Sequence, residues 1–326
     1  MKTPGFWYNE GRFAGTILPL LLSPLSLAWQ QGSHLQRAFV TCHKVPLKII
    51  CVGNLTVGGQ GKTPVAMALA DVARQMGYAP WFLSRGHGGS ESGPLKVDPA
   101  LHTAEQVGDE PLLLAAKAPT IIARNRAMGA WAAHEQGAEW IIMDDGWQNP
   151  SLKPDLGLIV VDAKMRFGNG HIVPAGPLRE SVESGLSRAH AVIQIGQSGV
   201  MTQLDLPPHI KVIQAEMQPA TTPENNFNGQ RVVAFAGIGR PQKFFASLTA
   251  TGADVAASFA FPDHYRYQEN DLTKLAAMAE RLNARLITTA KDHVRLPVAW
   301  QKDIDYFTIE ITFQNAQSLH ALIQNC

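Results

Sequence analysis

The stretch that most limits what this chain can become starts as an apolar strand at residues 47–52. It empties into Gly53-Asn54-Leu55-Thr56-Val57-Gly58-Gly59-Gln60-Gly61-Lys62-Thr63-Pro64, and a helix-forming run, Val65-Ala66-Met67-Ala68-Leu69-Ala70, follows directly. Phosphate binding needs these parts in this order. Glycines let successive backbone N–H groups turn toward phosphate oxygens with no Cβ in the way. The helix N-terminus adds partial positive charge. Lys62 has the reach for β- and γ-phosphates, and the Thr63 hydroxyl is a natural Mg²⁺ ligand. The residues expected to cradle a nucleoside triphosphate are therefore Thr56, Val57, Gly58, Gly59, Gln60, Gly61, Lys62 and Thr63. The usual pattern places glycine where Thr56 stands, and Gly58 and Gly59 supply the flexibility instead.

The remaining sequence has the material for a large α/β protein around this loop. Its 326 residues are 45% hydrophobic and 17% charged, the balance of a globular chain long enough for two packed domains. A net charge of +1 speaks against a general nucleic-acid binder. The three cysteines, Cys42, Cys51 and Cys326, are odd in number and lack metal-ligand spacing, which fits reduced thiols in a reducing compartment.

Beyond the phosphate loop, Trp81-Phe82-Leu83-Ser84 reads as a strand that ends in Arg85-Gly86-His87-Gly88-Gly89. That loop is suited to close approach of a substrate or phosphate, or to a plain flexible connection. Asp109 resembles a helix N-cap, with Pro111 in the first turn. A strand over 120–123 and an alanine-rich helix over 125–136 follow. Then Trp140-Ile141-Ile142-Met143-Asp144-Asp145-Gly146 forms a buried strand ending in two carboxylates, the place where a phosphate-loop enzyme holds its metal. Adjacent carboxylates repel each other unless a cation such as Mg²⁺ or Lys62 lies close. Asp162, after Leu158-Ile159-Val160-Val161, is a second candidate of the same form. Farther on, Pro174-Ala175-Gly176-Pro177 presents Arg179, suited to clamp a phosphate, and Glu180, suited to the metal side. A surface ion pair is the alternative for both.

The N-terminal segment is greasy. Residues 13–35 contain no Lys, Arg, Asp or Glu, and Pro19 and Pro24 interrupt the apolar run. A straight spanning helix needs roughly 20 predominantly apolar residues, so a monotopic anchor lying in one leaflet is the expectation. Phe6, Trp7, Tyr8 and Trp29 are interface-favouring residues, and Lys2, Arg12, Arg37, Lys44 and Lys48 against Glu10 give residues 1–50 a net +4. A cleavable signal peptide and a soluble core helix are the rival readings.

In the C-terminal third, residues 207–230 are rich in Pro, Asn, Thr and Gln and read as a linker or ribbon. Arg231-Val232-Val233-Ala234-Phe235-Ala236-Gly237 restarts a strand-glycine-helix cycle, and a second cycle ends near Thr288-Thr289-Ala290-Lys291-Asp292. Between them, Phe261-Pro262-Asp263-His264-Tyr265 is dense in titratable groups. With Asp263 adjacent, His264 can serve as a base or proton relay, or can simply be a surface histidine. The expected fold is α/β: a P-loop NTPase-like parallel sheet with helices on both faces, a smaller C-terminal α/β domain and an N-terminal membrane-associated helix. The expected divisions are residues 1–35 (membrane-associating), 36–206 (P-loop core), 207–230 (linker) and 231–326 (C-terminal domain).

These motifs occur together and in this order in one known family. Val57-Gly58-Gly59-Gln60-Gly61-Lys62-Thr63-Pro64, Ser84-Arg85-Gly86, Gly108-Asp109-Glu110-Pro111, Asp144-Asp145-Gly146, Pro177-Leu178-Arg179-Glu180, Phe261-Pro262-Asp263-His264 and Thr288-Thr289 with Lys291-Asp292 make the chain resemble the tetraacyldisaccharide 4′-kinases, the lipid A 4′-kinases of Gram-negative bacteria. The resemblance covers nearly the whole chain. It implies transfer of the γ-phosphate of ATP to the 4′-hydroxyl of a tetraacylated glucosamine disaccharide 1-phosphate, giving lipid IVA on the cytoplasmic face of the inner membrane. It further implies Asp109 as the catalytic carboxylate with His264 as its partner across a cleft, Lys62 and Arg179 as catalytic cations, and Asp144, Asp145 and Glu180 around Mg²⁺ together with Thr63. The partners it implies are the glycolipid and the membrane surface, with no nucleic acid and no obligate protein. Two positions depart from the family's pattern: His87 stands where Tyr is common, and Ala290 where Glu is common. A membrane-associated nucleotide switch is the reading from another class; a GTPase lacks its guanine motif, and a metallochaperone lacks clustered Cys or His.

Overall fold

The structure, a computed structural model, describes residues 4–8, 14–196 and 204–326. Expectations that fall on Lys2, Glu10, Arg12 and Phe13 lie outside the described residues. The main sheet is built from β1 (Lys48–Gly53), β2 (Pro80–Ser84), β3 (Leu95–Lys96), β4 (Thr120–Ile122), β5 (Trp140–Asp144), β6 (Leu156–Asp162), β7 (Ala191–Ile195), β8 (Lys211–Pro219) and the late strand β13 (Ile309–Phe313). Their order is β13-β8-β7-β6-β1-β5-β2-β4-β3, parallel except at the two edges, where β3 and β13 run antiparallel to their neighbours. A second sheet of β9 (Arg231–Ala236), β10 (Asp254–Ala260), β11 (Arg285–Thr289) and β12 (Asp305–Phe307), in the order β10-β9-β11-β12, is wholly parallel and forms the core of a smaller lobe.

Buried parallel strands read as continuous apolar runs because both of their faces are covered. In β1, Ile50 and Val52 pack on one face with Val65 and Leu69 of the helix that follows, while Ile49 and Cys51 pack on the other with Ala130 and Ala133. β5 divides in the same way, Trp140 and Ile142 against Ile141 and Met143. This period-two split holds the carboxyl ends of β1, β5, β2 and β4 in a rigid row. Burial pushes the Cys51 thiol up to about 12, so it acts as a small apolar filler rather than a nucleophile.

Of the linker or extended ribbon expected over 207–230, part is a strand of the main sheet. Residues 211–219 form β8, whose Ile213 and Ala215 are buried in the main core. The C-terminal domain expected over 231–326 is likewise too long. After β12 the chain leaves the small lobe, adds β13 beside β8, and ends in a helix (Ala316–Gln324) whose Leu319 and Ile323 are buried in the core of the main sheet. The two lobes are therefore joined by two neighbouring antiparallel strands and not by a loose tether. The physical reason is alternation: Ile213, Ala215 and Ile311 each offer an apolar side chain to the face already occupied by Val65 and Leu69.

The N-terminal helix α1 (Ala14–Ala38) runs unbroken through Pro19 and Pro24. A helical proline frees the carbonyl four residues earlier. At Pro24 that group is the Leu20 carbonyl, and Ser23 Oγ donates to it at 2.8 Å. One side of α1 docks: Ser26 Oγ donates to the Ile172 carbonyl at 2.7 Å, and Trp29 Nε1 donates to the Arg179 carbonyl at 3.3 Å. The other side is bare, with Leu20 74% exposed, Leu21 68% and Leu27 61%. Among the described residues no helix is long and apolar enough to cross a membrane.

Candidate active site

The phosphate loop joins β1 to α2 (Lys62–Gln75). Gly61 takes φ +83°, a left-handed conformation that lets the loop turn into the helix, and a Cβ there would lie 2.8 Å from Ile195 Cδ1. Thr56 Oγ1 and Gln60 Nε2 are buried polar atoms with no protein partner. Buried polar groups are normally satisfied, so the loop is shaped for a ligand that bears both donors and acceptors.

The two carboxylates at the end of β5 have separated into different environments. Asp144 is buried; its Oδ2 accepts from Thr63 Oγ1 at 2.8 Å, while Oδ1 has no partner. Burial, then the charges of Glu110 and Asp145, push its pKa up to about 7 against the opposing pull of Thr63 and Lys62. Asp145, in the left-handed region at φ +52°, turns toward cations instead. It lies 3.7 Å from Lys62 Nζ and 3.1 Å from Arg179 Nη1. Burial opposes its charge, but Lys62 and Arg179 outweigh that and hold it below the usual carboxylate range. Among the described residues no group of three or more His, Cys, Asp or Glu could hold a metal by itself. Mg²⁺ does not need such a cage, because it binds through one or two carboxylates plus phosphate oxygens. Thr63 and the unpartnered Asp144 Oδ1 fit that kind of site.

Glu180, expected beside the metal, is otherwise engaged. Its carboxylate accepts from Arg37 Nη1 at 2.9 Å and from Arg188, and Gln148 Nε2 approaches at 3.3 Å. A carboxylate between two guanidinium groups does not attract a further cation, so it fastens α1 to the Arg179 loop instead. Asp162, the second candidate carboxylate, is likewise paired across the lobes, with Lys243 at 3.2 Å and Arg240 at 3.4 Å.

Asp109 and His264 meet where the lobes face each other. Asp109 is the first residue of α4 (Asp109–Ala115) rather than its N-cap; Gly108 holds that position at φ +91°, and a Cβ there would lie 2.6 Å from the His87 carbonyl oxygen. This tight contact seats the 85–89 loop against the start of α4 and puts the His87 ring 6.3 Å from the His264 ring. His264 Nδ1 lies 3.3 Å from Asp109 Oδ2. His264 is itself left-handed, at φ +58°, and its N–H donates to the Gly237 carbonyl at 3.0 Å.

Sequence reasoning missed Arg295. Its Nε donates to Asp109 Oδ2 at 2.9 Å, and its Nη1 donates to the Gly237 carbonyl at 2.9 Å and to Asp292 Oδ1 at 3.0 Å. Asp292 also accepts from the Gly237 N–H and from the Tyr267 hydroxyl. The Lys291-Asp292 motif thus works through Arg295, one helical turn on: Asp292 aims the guanidinium and Lys291 reaches Glu110 at 3.0 Å. A lone arginine in a loop carries no sequence signature, although its i, i+3 spacing from Asp292 is a weak hint. Burial works against the Asp109 charge, but the His264 hydrogen bond and the Lys291 and Arg295 charges more than offset it and depress its pKa strongly.

His264 and Lys291 of the smaller lobe line one cleft with Lys62, Thr63, Asp144, Asp145 and Arg179; its volume of about 2990 Å³ is far larger than a pocket for a single small ligand and roomy enough for a nucleotide beside a second substrate. Comparison with known proteins shows the family and the fold. The family model LpxK, tetraacyldisaccharide-1-P 4′-kinase, matches residues 18–326. Tetraacyldisaccharide 4′-kinases of Rhodospirillum rubrum and Rhodospirillum centenum are 47% and 45% identical over 99% of this chain, covering 97% and 96% of their own lengths. A crystal structure of LpxK from Aquifex aeolicus in complex with ATP superposes with a TM-score of 0.77 at 25% identity, covering 94% of this chain and 99% of that one. With a phosphate loop, a two-lobed cleft and sequence identity along almost its entire length, the chain belongs to the tetraacyldisaccharide-1-P 4′-kinase family.

Proposed function

We propose that the chain transfers the γ-phosphoryl group of ATP to the 4′-hydroxyl of a tetraacyldisaccharide 1-phosphate held at a membrane surface. The observation that carries this reading is the Asp109–His264 pair, which joins the two lobes and sets His264 on the cleft that Lys62, Thr63 and Asp144 also line.

Phosphoryl transfer is chiefly positioning and charge stabilisation. The phosphate-loop amides and Lys62 hold the phosphates, and Arg179, steadied by Asp145 and by Gln148 at 3.1 Å, stands beside them. A Mg²⁺ held by Thr63 and Asp144 neutralises charge on the phosphate oxygens when bound. Asp109 is kept ionised by its cations, which makes it a poor proton acceptor and a good orienting group. A carboxylate facing Nδ1 favours the Nδ1–H tautomer of His264, leaving Nε2 with its lone pair. As the acceptor oxygen bonds to the γ-phosphorus and the bond to the β-bridging oxygen breaks, His264 Nε2 takes the hydroxyl proton and Asp109 stabilises the resulting imidazolium.

An acceptor with four acyl chains sits in a bilayer, and α1 supplies the matching surface. Its exposed leucines, Leu20, Leu21 and Leu27, enter one leaflet while the docked side, with Ser26 and Trp29, keeps the cleft at the interface. ATP as donor places this on the cytoplasmic face of the inner membrane. The test is to incubate the full chain with γ-labelled ATP, Mg²⁺ and the acceptor in mixed micelles, then locate the label. Label at the 4′ position, lost in Lys62→Ala, is the expected result; ATP turnover without labelled lipid would remove the reading.

A further inference from the structure

Helix α1 is bonded along its length to one short segment, residues 172–180. Ser26 Oγ donates to the Ile172 carbonyl at 2.7 Å and accepts from the Ala175 N–H at 3.3 Å. Trp29 Nε1 donates to the Arg179 carbonyl at 3.3 Å, and Arg37 Nη1 meets Glu180 Oε2 at 2.9 Å. The same segment is bonded to the phosphate loop. The Val57 N–H donates to the Pro177 carbonyl at 2.8 Å, and the Arg179 N–H donates to the Leu55 carbonyl at 2.7 Å. The helix whose leucines face outward thus rests on the strip of chain that braces the nucleotide cradle.

Side chains continue the connection. Gln148 lies between Glu180 and Arg179: its Nε2 donates to the Asn54 carbonyl at 3.0 Å and to Glu180 Oε1 at 3.3 Å, while its Oε1 accepts from Arg179 Nη1 at 3.1 Å. A carboxamide has one donating and one accepting end, so a carboxylate at Nε2 fixes which end faces the guanidinium. Reversed, Gln148 would turn N–H groups toward Arg179 and its oxygen toward Glu180. Arg179 in turn reaches Asp145 at 3.1 Å, and Asp145 lies 3.7 Å from Lys62 Nζ. Glu180 is 5% exposed, and charge-assisted bonds at a buried carboxylate are stronger than those between exposed partners. The order of contacts is Arg37, Glu180, Gln148, Arg179, with the membrane-facing helix at one end and the phosphate-binding cations at the other.

We propose that Arg37 is a positioning residue of the active site, which holds Glu180 and through Gln148 sets the Arg179 guanidinium. Helix α1 is then a working part of the site as well as a membrane-facing surface. Arg179 acts here as in the proposed function, on which this assignment rests. Arg37 also lines the cleft, so direct contact with the lipid is the rival role.

The test is a double-mutant cycle between Arg37→Gln and Arg179→Gln in the full chain. Arg188 also pairs with Glu180, so Arg37→Gln does not strand a buried carboxylate, and thermal melting should match the wild type. The cycle is measured in kcat/KM for ATP, with the disaccharide 1-phosphate saturating in mixed micelles, and in the ATP dissociation constant. Where Arg179 is present, Arg37→Gln should lower kcat/KM and weaken ATP by about tenfold, the scale of one charge-assisted hydrogen bond. In the Arg179→Gln background it should cause no further loss. Arg37→Lys, which keeps the charge and a donor, should recover most of the activity, and sedimentation with anionic vesicles should not change. Equal losses in both backgrounds, or values within about twofold of wild type, would overturn the assignment. So would a loss confined to the KM for the lipid, which is the mark of direct contact. If Arg37→Gln melts early, Trp29→Phe, which removes the donor to the Arg179 carbonyl and keeps an aromatic ring, takes its place in the same cycle. Wild-type protein that binds ATP but does not label the lipid would count against the kinase reading alone, and the cycle in ATP affinity would still decide the role of Arg37.

Discussion

Arg295 Nε donates to Asp109 Oδ2 at 2.9 Å, across 186 residues of sequence and from one lobe to the other. Among the described residues the side chains paired with that carboxylate, His264, Lys291 and Arg295, all belong to the smaller lobe. Asp109 is therefore oriented and partnered through the facing lobe, which couples the geometry of the cleft to the position of its central carboxylate.

Replacing Asp109 by Ala or Asn should lower kcat by at least about a hundredfold, since a positioned acid–base group contributes on that scale. Steady-state assays with saturating ATP check this. Near-normal turnover in the Asn variant would show that its charge does not orient His264.

Removing the Arg295 guanidinium, as in Arg295→Met, takes a positive charge from beside Asp109. The Asp109 pKa then climbs back toward the ordinary carboxylate range, with Lys291 and His264 still present and the Glu110 charge opposing them. The Asp109 carboxyl, followed by NMR titration, should protonate at higher pH than in the wild type. A loss of activity with the Asp109 titration unmoved would mean that Arg295 serves only to hold the lobes together.

Lys62→Ala should reduce turnover by about a hundredfold or more, as loss of a preorganised cation at a reacting phosphate does. Single-turnover measurements separate this from weaker ATP binding. A change confined to ATP affinity would reduce Lys62 to a tether.

Asp144 gives a stability prediction of opposite sign. Its folded pKa, raised to about 7, lies above the unfolded value, so the folded state binds more protons between about pH 4 and pH 7. Stability from this group therefore falls as pH rises through that window. Asp144→Asn keeps an acceptor for Thr63 and removes the buried charge. Without divalent ions at pH 8, Tm should rise by roughly 2–4 °C for each kcal/mol recovered, while phosphoryl transfer drops by about a hundredfold. An unchanged Tm would show that the burial penalty is relieved by some other group.

Exchanging Leu20, Leu21 and Leu27 together for serine should abolish sedimentation with anionic vesicles, because each buried aliphatic side chain is worth about 1.5–3 kcal/mol. These side chains face away from the body of the protein, so ATP binding should be preserved. Vesicle binding that persists in the triple variant would place the membrane-binding surface elsewhere.

Much of the site was legible because its signals are local. Gly58, Gly61, Lys62 and Thr63 are neighbours in the chain, and the apolar runs before Asp144 and Asp162 announce strands that end in carboxylates. Strand β8 was missed because its turn-rich flanks, Pro207 to its N-terminal side and Thr221-Thr222-Pro223 to its C-terminal side, masked the alternation of Ile213 and Ala215. The return of residues 309–326 to the main sheet was missed because an αβ cycle in sequence does not say which sheet its last strand joins. Asp162 and Asp144 have the same sequence form. Only the fold hands one to Lys243 and Arg240 and leaves an oxygen of the other unpartnered.

Read alone, the chain determined a phosphate cradle on a parallel sheet, a greasy N-terminal helix, and an ordered series of motifs that resemble one family. Those properties depend on residues within a few positions of each other, where backbone conformation and apolar period act directly. The tertiary structure decided the rest: that Arg295 clamps Asp109, and that Glu180 is bound to Arg37 and Arg188. Contacts between residues far apart in sequence arise only when sheet order and lobe placement set the distances, and the charge each group carries follows from those distances.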